Sequence, residues 1–173
     1  QCLGSPIELI IGPFEESEKL KGEKEFEGTL GIVLPDQQAL VAQYEPLAVE
    51  FEAELGRERY AFTPRYTATP ITIVDVMILA GGALSFIAMA SKLPNDEDIR
   101  ATVGSKTTLF WNVTKAKLQH ITVPIARRVL RVELDLETFT RLIIAHELAH
   151  GFAFRFQRQH FGSIASPLEE VKA

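Results

Sequence analysis

Cysteine is the scarcest informative residue here, and its scarcity removes two classes of protein. Cys2 is the single cysteine among 173 residues, so no disulfide closes within the chain and no cysteine-based metal site can be built. A reducing compartment suits such a chain, and a cytoplasmic location is the expectation. Cys2 also sits where a processed bacterial lipoprotein bears its lipid, an arrangement that would place the protein outside the cytoplasm, although an ordinary thiol is the simpler account. Basic runs are missing too. The formal net charge is -5 and the pI near 5.4, and the densest cationic group, Arg155 to Arg158, is interleaved with Phe154, Phe156 and Gln157. Nucleic acid is therefore not an expected partner. Nor does any apolar run read as a membrane span: Ile71 to Ala90 is long enough, but it holds Asp75 and is divided by Gly81-Gly82. Two buried strands meeting at the glycine pair fit better than one transmembrane helix. There is no internal repeat and no low-complexity tract.

What is present divides by character along the chain. Pro6 to Ile11 predicts a short apolar strand ended by Gly12-Pro13, and Glu25 to Val33 alternates as a second strand loosened by two glycines. Leu40, Tyr44, Leu47, Phe51 and Leu55 then recur at helical spacing, with Asp36 placed as an N-cap, Gly56 as a C-terminal cap, and Pro46 expected to kink or split the helix. Arg57 to Pro70 reads as loop. Leu109 to Val113 follows the Gly104-Ser105-Lys106 turn, and Thr114 to Leu130 has helical spacing interrupted by Pro124. Asp135 is placed to cap the apolar run from Phe139 to Phe156. These elements predict an α+β chain, with a strand-rich lobe carrying one helix over 1–100 and a helical lobe over 101–173.

The helical part carries the most informative motif, His146-Glu147-Leu148-Ala149-His150. On a helix, histidines four apart stand one turn up the same face, where two imidazoles reach one metal ion. Glu147 is turned about 100° from His146, beside such an ion, and is suited to take a proton from a zinc-activated water. Neutral imidazoles with one open coordination position describe catalytic zinc. A chain of this length would show the pattern by accident on the order of once in a few hundred. A third ligand is needed, and Glu169 and Glu170 stand 19 and 20 residues beyond His150, near the distance at which thermolysin-like enzymes supply theirs. His160 competes for that role. It lies ten residues past His150, whereas the metzincin pattern wants a histidine at the position held by Phe156, so a surface or core histidine is the better account.

Several segments in order resemble the dipeptidyl peptidase III family of zinc peptidases and its bacterial relatives. Gly12-Pro13-Phe14-Glu15 and Glu25-Phe26-Glu27-Gly28 look like two of the family's segments, followed in the same order by Leu93-Pro94-Asn95-Asp96-Glu97, Gly104-Ser105-Lys106, Asn112-Val113, the zinc helix and the closing Glu169-Glu170-Val171-Lys172-Ala173. The similarity runs from about Pro6 to the last residue. It implies a two-lobed zinc peptidase that removes dipeptides from the N-terminus of short peptides. It further implies that His146, His150 and Glu170 hold zinc, that Glu147 is the general base, that Glu15 and Asn95 hold the peptide's free ammonium, and that Glu169 orients a ligand or zinc histidine.

Departures from the family are visible at the same level. Ser17 stands where relatives offer a tyrosine to the tetrahedral intermediate, and losing such a donor costs about 10²-fold or more. Lys92 stands where relatives have an asparagine, and would repel an ammonium. Members of the family are also much longer, so a further chain or missing segments completing the cleft are expected. The alternative to an enzyme is a weakened or inactive relative that binds peptides or a protein partner without turnover.

Overall fold

The computed structural model describes residues 5–16, 24–55, 66–82, 88–93, 102–152, 164, 168 and 170–171, with the backbone alone for residues 13–16, 24–25 and 130. Five strands form one sheet: β1 (Ile7–Glu16), β2 (Lys24–Val33), β3 (Ile71–Gly81), β4 (Ala90–Leu93) and β5 (Lys106–Phe110), in the order β1-β2-β3-β5-β4. Only β3 and β5 run parallel; the other neighbours are antiparallel. With the helices this is an α+β fold in which the strand-rich part of the sequence precedes the helical part.

Strand limits differ from the sequence expectation at two places. β1 does not stop at Gly12-Pro13 but continues to Glu16, with the irregularity absorbed as a register shift between Gly12 and Glu15. A bulge of this kind admits a proline without ending the ladder. Of the two strands expected to meet at Gly81-Gly82, the first is β3, which lies between β2 and β5, while β4 pairs with β5. Residues 83–87, which held most of the expected second strand, lie outside the described residues. Gly81 closes β3 at φ +64, where a Cβ would stand 1.9 Å from the Phe26 carbonyl oxygen, so only glycine fits there.

The sheet is apolar on its outer side. Ile7, Leu9 and Ile11 are each more than half exposed, whereas Glu8 between them is buried and meets the Lys106 ammonium at 2.5 Å. Three spacings of about 4.8 Å separate β1 from β5, so the pair reaches across β2 and β3 with both side chains extended, helped by the twist of the sheet. Gln38 adds a clamp to β3, its amide donating to the Ile71 carbonyl at 2.7 Å and accepting from the Ile73 N–H at 3.1 Å.

Helix α1 (Pro35–Leu55) starts at Pro35, one residue before the expected cap Asp36, which lies in its first turn. Proline suits the first helical position because its absent N–H has no partner to lose. The helix runs past Pro46 without the expected division, and the expected cap Gly56 lies outside the described residues. From Trp111 the chain is helical to residue 130: α2 (Trp111–Lys117), a π turn at Leu118–Thr122, α3 (Val123–Ile125) and a second π turn at Ala126–Leu130. The segment after the Gly104-Ser105-Lys106 turn thus ends strand β5 at Phe110 and begins helix at Trp111. Pro124 interrupts the α-helical pattern without ending the helical run: it stands in the first turn of the short Val123–Ile125 segment, between the two π turns. Asn112 spans the junction, its side chain exchanging two hydrogen bonds with the Val76 backbone at 2.8 and 3.1 Å. Arg131 ends the run in the left-handed conformation. Helix α4 (Leu136–Ala149) follows directly after Asp135.

The chain divides into two compact units, each discontinuous in sequence: residues 1–38 with 70–136, and residues 39–69 with 137–173. Among the described residues no helix is long and apolar enough to cross a membrane.

Candidate metal centre

Helix α4 buries one stripe, Phe139, Thr140, Ile143, Ile144, Glu147 and Leu148, and exposes Arg141, Leu142 and Ala145 on the other side. Spacings of three and four make this the helical periodicity that the sequence showed. An i,i+4 pair of Glu137 with Arg141 lies along the exposed side. His146 and His150 sit at the edge of the buried stripe, their side chains 33% and 14% exposed. Glu147 is buried.

The two imidazoles stand edge to face, with ring centroids 4.8 Å apart and planes at 78°. Glu170 comes to both: one carboxylate oxygen lies 3.4 Å from His146 Nε2 and the other 3.8 Å from His150 Nε2. One ligand atom from each of the three residues falls within 4.8 Å of the others. Ligand atoms at about 2.0–2.1 Å from a tetrahedral zinc lie roughly 3.3–3.4 Å from one another, so the observed spacing needs little adjustment to hold one ion. The donor chemistry agrees, since two neutral nitrogens and one carboxylate leave a charge of minus one for a dication to offset. Glu170 was one of two adjacent acids on spacing alone; it lies beside the rings, and Glu169 lies outside the described residues.

Beyond His150 the helix is tightened and then held. The His150 N–H still donates to the His146 carbonyl at 3.3 Å, but Gly151 and Phe152 donate to Leu148 and Ala149 at 2.8 and 3.1 Å, the shorter i→i−3 pattern. The Gly151 carbonyl accepts from the Thr67 N–H at 3.0 Å. The buried Phe152 ring meets Phe51 of α1 at 6.2 Å and Tyr66 edge-on at 6.3 Å. Burial pushes the Tyr66 phenol up to about 12, with the charges of Glu45 and Glu52 adding to the shift.

Other residues singled out from the sequence are less visible. Glu15 lies on β1 opposite Glu25, with its backbone alone described. Asn95, Glu169, Ser17 and His160 lie outside the described residues. Lys92 is on β4, opposite Thr107. Tyr66, Thr67 and Gly151 were not singled out at all. The glycine directly after the motif was the available signal, whereas nothing marks the tyrosine in its loop.

A mixed sheet together with an H-E-x-x-H helix whose imidazoles share a distant carboxylate defines a class of chain able to hold one metal ion. The solved structures it is similar to are peptidases. Dipeptidyl peptidase III from Caldithrix abyssi superposes with a TM-score of 0.81 at 26% identity, covering 96% of this chain and 35% of that one. Dipeptidyl-peptidase III from Corallococcus sp. strain EGB gives 0.77 at 27% identity, covering 98% and 35%. The resemblance to the dipeptidyl peptidase III family seen in the sequence thus extends to the fold. A curated protein named Nudix hydrolase 3, from Arabidopsis thaliana, is 27% identical over 187 residues, which is 99% of this chain and 24% of that protein. The chain therefore spans about a third of the peptidase structures and about a quarter of the curated relative. No protein-family model matches it.

Proposed function

We propose that this chain carries the metal centre of a zinc metallopeptidase that hydrolyses peptide bonds near the N-terminus of short peptides. The observation that supports it best is the approach of Glu170 to both His146 and His150, across 20 residues of sequence, within the spacing one ion needs. His146, His150 and Glu170 would hold the ion, which when bound lowers the pKa of water to about 7. Glu147, buried beside the ligands, accepts the proton of the attacking water and returns it to the departing amine. Glu15 and Asn95 hold the substrate's ammonium by charge and hydrogen bonding, and Glu169 orients one of the ligands. A cytoplasmic setting and a further chain or segments that complete the cleft belong to the same proposal.

The test is metal content followed by turnover. Purified protein is expected to hold about one zinc per chain and to release dipeptides from short peptides, and Glu147→Gln is expected to keep the metal and lose the release. Protein without stoichiometric metal, or equal hydrolysis by both forms, rejects the proposal. A second reading, a peptide- or protein-binding relative without turnover, is favoured by Ser17 and Lys92 at positions where relatives have tyrosine and asparagine. Stoichiometric zinc with peptide binding and no hydrolysis would establish it.

A further inference from the structure

His150 stands nearer the end of helix α4 than His146 does. It lies one residue past the last regular turn of α4, at the point where the hydrogen bonds change from i→i−4 to i→i−3. Helix ends fray, and a ligand at an unsupported end samples orientations in which its nitrogen misses the ion. His146 has no such difficulty, being followed by three further helical residues.

Support for that end comes from residues distant in sequence. Thr67 N–H donates to the Gly151 carbonyl, and the approach is close enough that a Cβ on Gly151 would stand 2.7 Å from the Thr67 carbonyl oxygen, 2.7 Å from Tyr66 Cε2 and 3.0 Å from the Leu148 carbonyl oxygen. Two of these are backbone atoms, which cannot swing aside as a side-chain tip can. Phe152 then wedges between Phe51 and Tyr66. The Tyr66 hydroxyl is buried with no hydrogen-bond partner among the described residues, and its ring packs edge-on against Phe152. The charges acting on it are those of Glu45 and Glu52, and it has no evident part in the chemistry at Glu147.

We infer that Tyr66 and Thr67 form a positioning element for the metal centre: by fixing Gly151 and Phe152 they fix the exit of α4, and so hold His150 in place to bind the ion. The inference rests on the zinc reading above. It predicts that metal affinity depends on residues that offer no ligand atom and touch no substrate.

The experiment is chelator competition for zinc on the full 173-residue chain, together with the absorption spectrum of the cobalt-substituted protein and thermal melting of the metal-free protein. Gly151→Ala, which forces the Thr67 backbone away, and Thr67→Pro, which removes the donated N–H without adding a Cβ at 151, are each expected to weaken zinc about 10- to 100-fold and to alter the cobalt spectrum. Tyr66→Phe, which keeps the ring, is expected to bind zinc as the native chain does. Ile144→Val supplies a core loss in the same helix, and is expected to lower the melting temperature while leaving zinc affinity and cobalt spectrum unchanged. If Gly151→Ala or Thr67→Pro, whichever folds, lowers the melting temperature but binds zinc natively, the clamp is merely structural and the inference fails. Should neither variant fold, Phe152→Leu takes their place with the same expectation and the same failure. A native chain that holds no zinc would instead overturn the function it rests on, an outcome recognisable before any variant is made.

Discussion

Two groups of polar side chains in this protein differ in what completes them. Glu8 and Lys106 of the sheet are side chains only 11% and 12% exposed, and each neutralises the other. His146, His150 and Glu170 also lie close together, but two of them are bases and the third is an acid with its side chain 61% exposed, so with neutral imidazoles the group keeps a net charge of minus one. The first group is closed by the protein itself. The second has the donor set and spacing that a dication would complete, which is what distinguishes a candidate metal site from a structural ion pair.

The sharpest separation comes from Glu147→Gln. If the second group is catalytic, this substitution removes a general base and is expected to lower peptide hydrolysis about 10²- to 10⁴-fold while zinc content, read by metal analysis, stays at one per chain. Loss of metal in step with activity would instead give Glu147 a role in holding the ion. The counterpart in the sheet is Lys106→Met, which strands the Glu8 carboxylate in a largely buried place. Breaking a buried pair on one side costs about 3–5 kcal/mol, so denaturant unfolding should show a large loss. Glu8→Leu combined with Lys106→Met is expected to recover most of it, since both charges are then gone. If the single substitution proves harmless, water reaches Glu8 and the contrast between the two groups disappears.

Removing the metal tests the same contrast without mutation. Zinc present at 100 times its Kd adds about 2.7 kcal/mol to the state that binds it. Chelation should therefore lower the melting temperature and speed hydrogen exchange at the amides around 146–152, which open locally once the ligands are released. No acceleration at these amides would contradict a metal held by His146 and His150.

The two groups were unequally legible in the sequence. Histidines four apart on an apolar helical run are a local pattern, and local periodicity survives folding, so the α4 site could be read directly. The candidate third ligand, Glu170, is 20 residues past His150, and spacing alone left Glu169 and Glu170 equivalent; the family resemblance favoured Glu170. Glu8 and Lys106 gave no signal, because a charged residue inside an apolar strand looks like an outward-facing one until its partner across the sheet is known. The same non-locality hid the place of β3 between β2 and β5, as a parallel neighbour is set by a crossover and not by a turn. Pro46 lies inside an undivided α1 and Pro124 stands between two π turns for a different reason. A proline's local penalty is real, but a surrounding helix can absorb it, in the case of Pro124 by widening a turn.

The smallest expected effect falls at the support of the open group. Tyr66 keeps a hydroxyl buried without a partner, and an unsatisfied group of this kind costs about 1–3 kcal/mol when fully desolvated. The residue as a whole is only half-buried, so Tyr66→Phe, which preserves the ring against Phe152, is expected to stabilise the protein by about 1 kcal/mol or less. The pH dependence supplies an independent sign. Because the folded phenol titrates at about 12 against an ordinary value of 10, the folded state binds a proton that the unfolded chain has begun to lose. That contribution is present in full below pH 10 and falls away as pH rises through 12. The lead of Tyr66→Phe over the native chain in denaturant unfolding should thus be constant below pH 10 and widen between 10 and 12. A lead that stays flat across this window would mean that the phenol reaches solvent, and that Phe152 is held by a looser contact than the ring geometry implies.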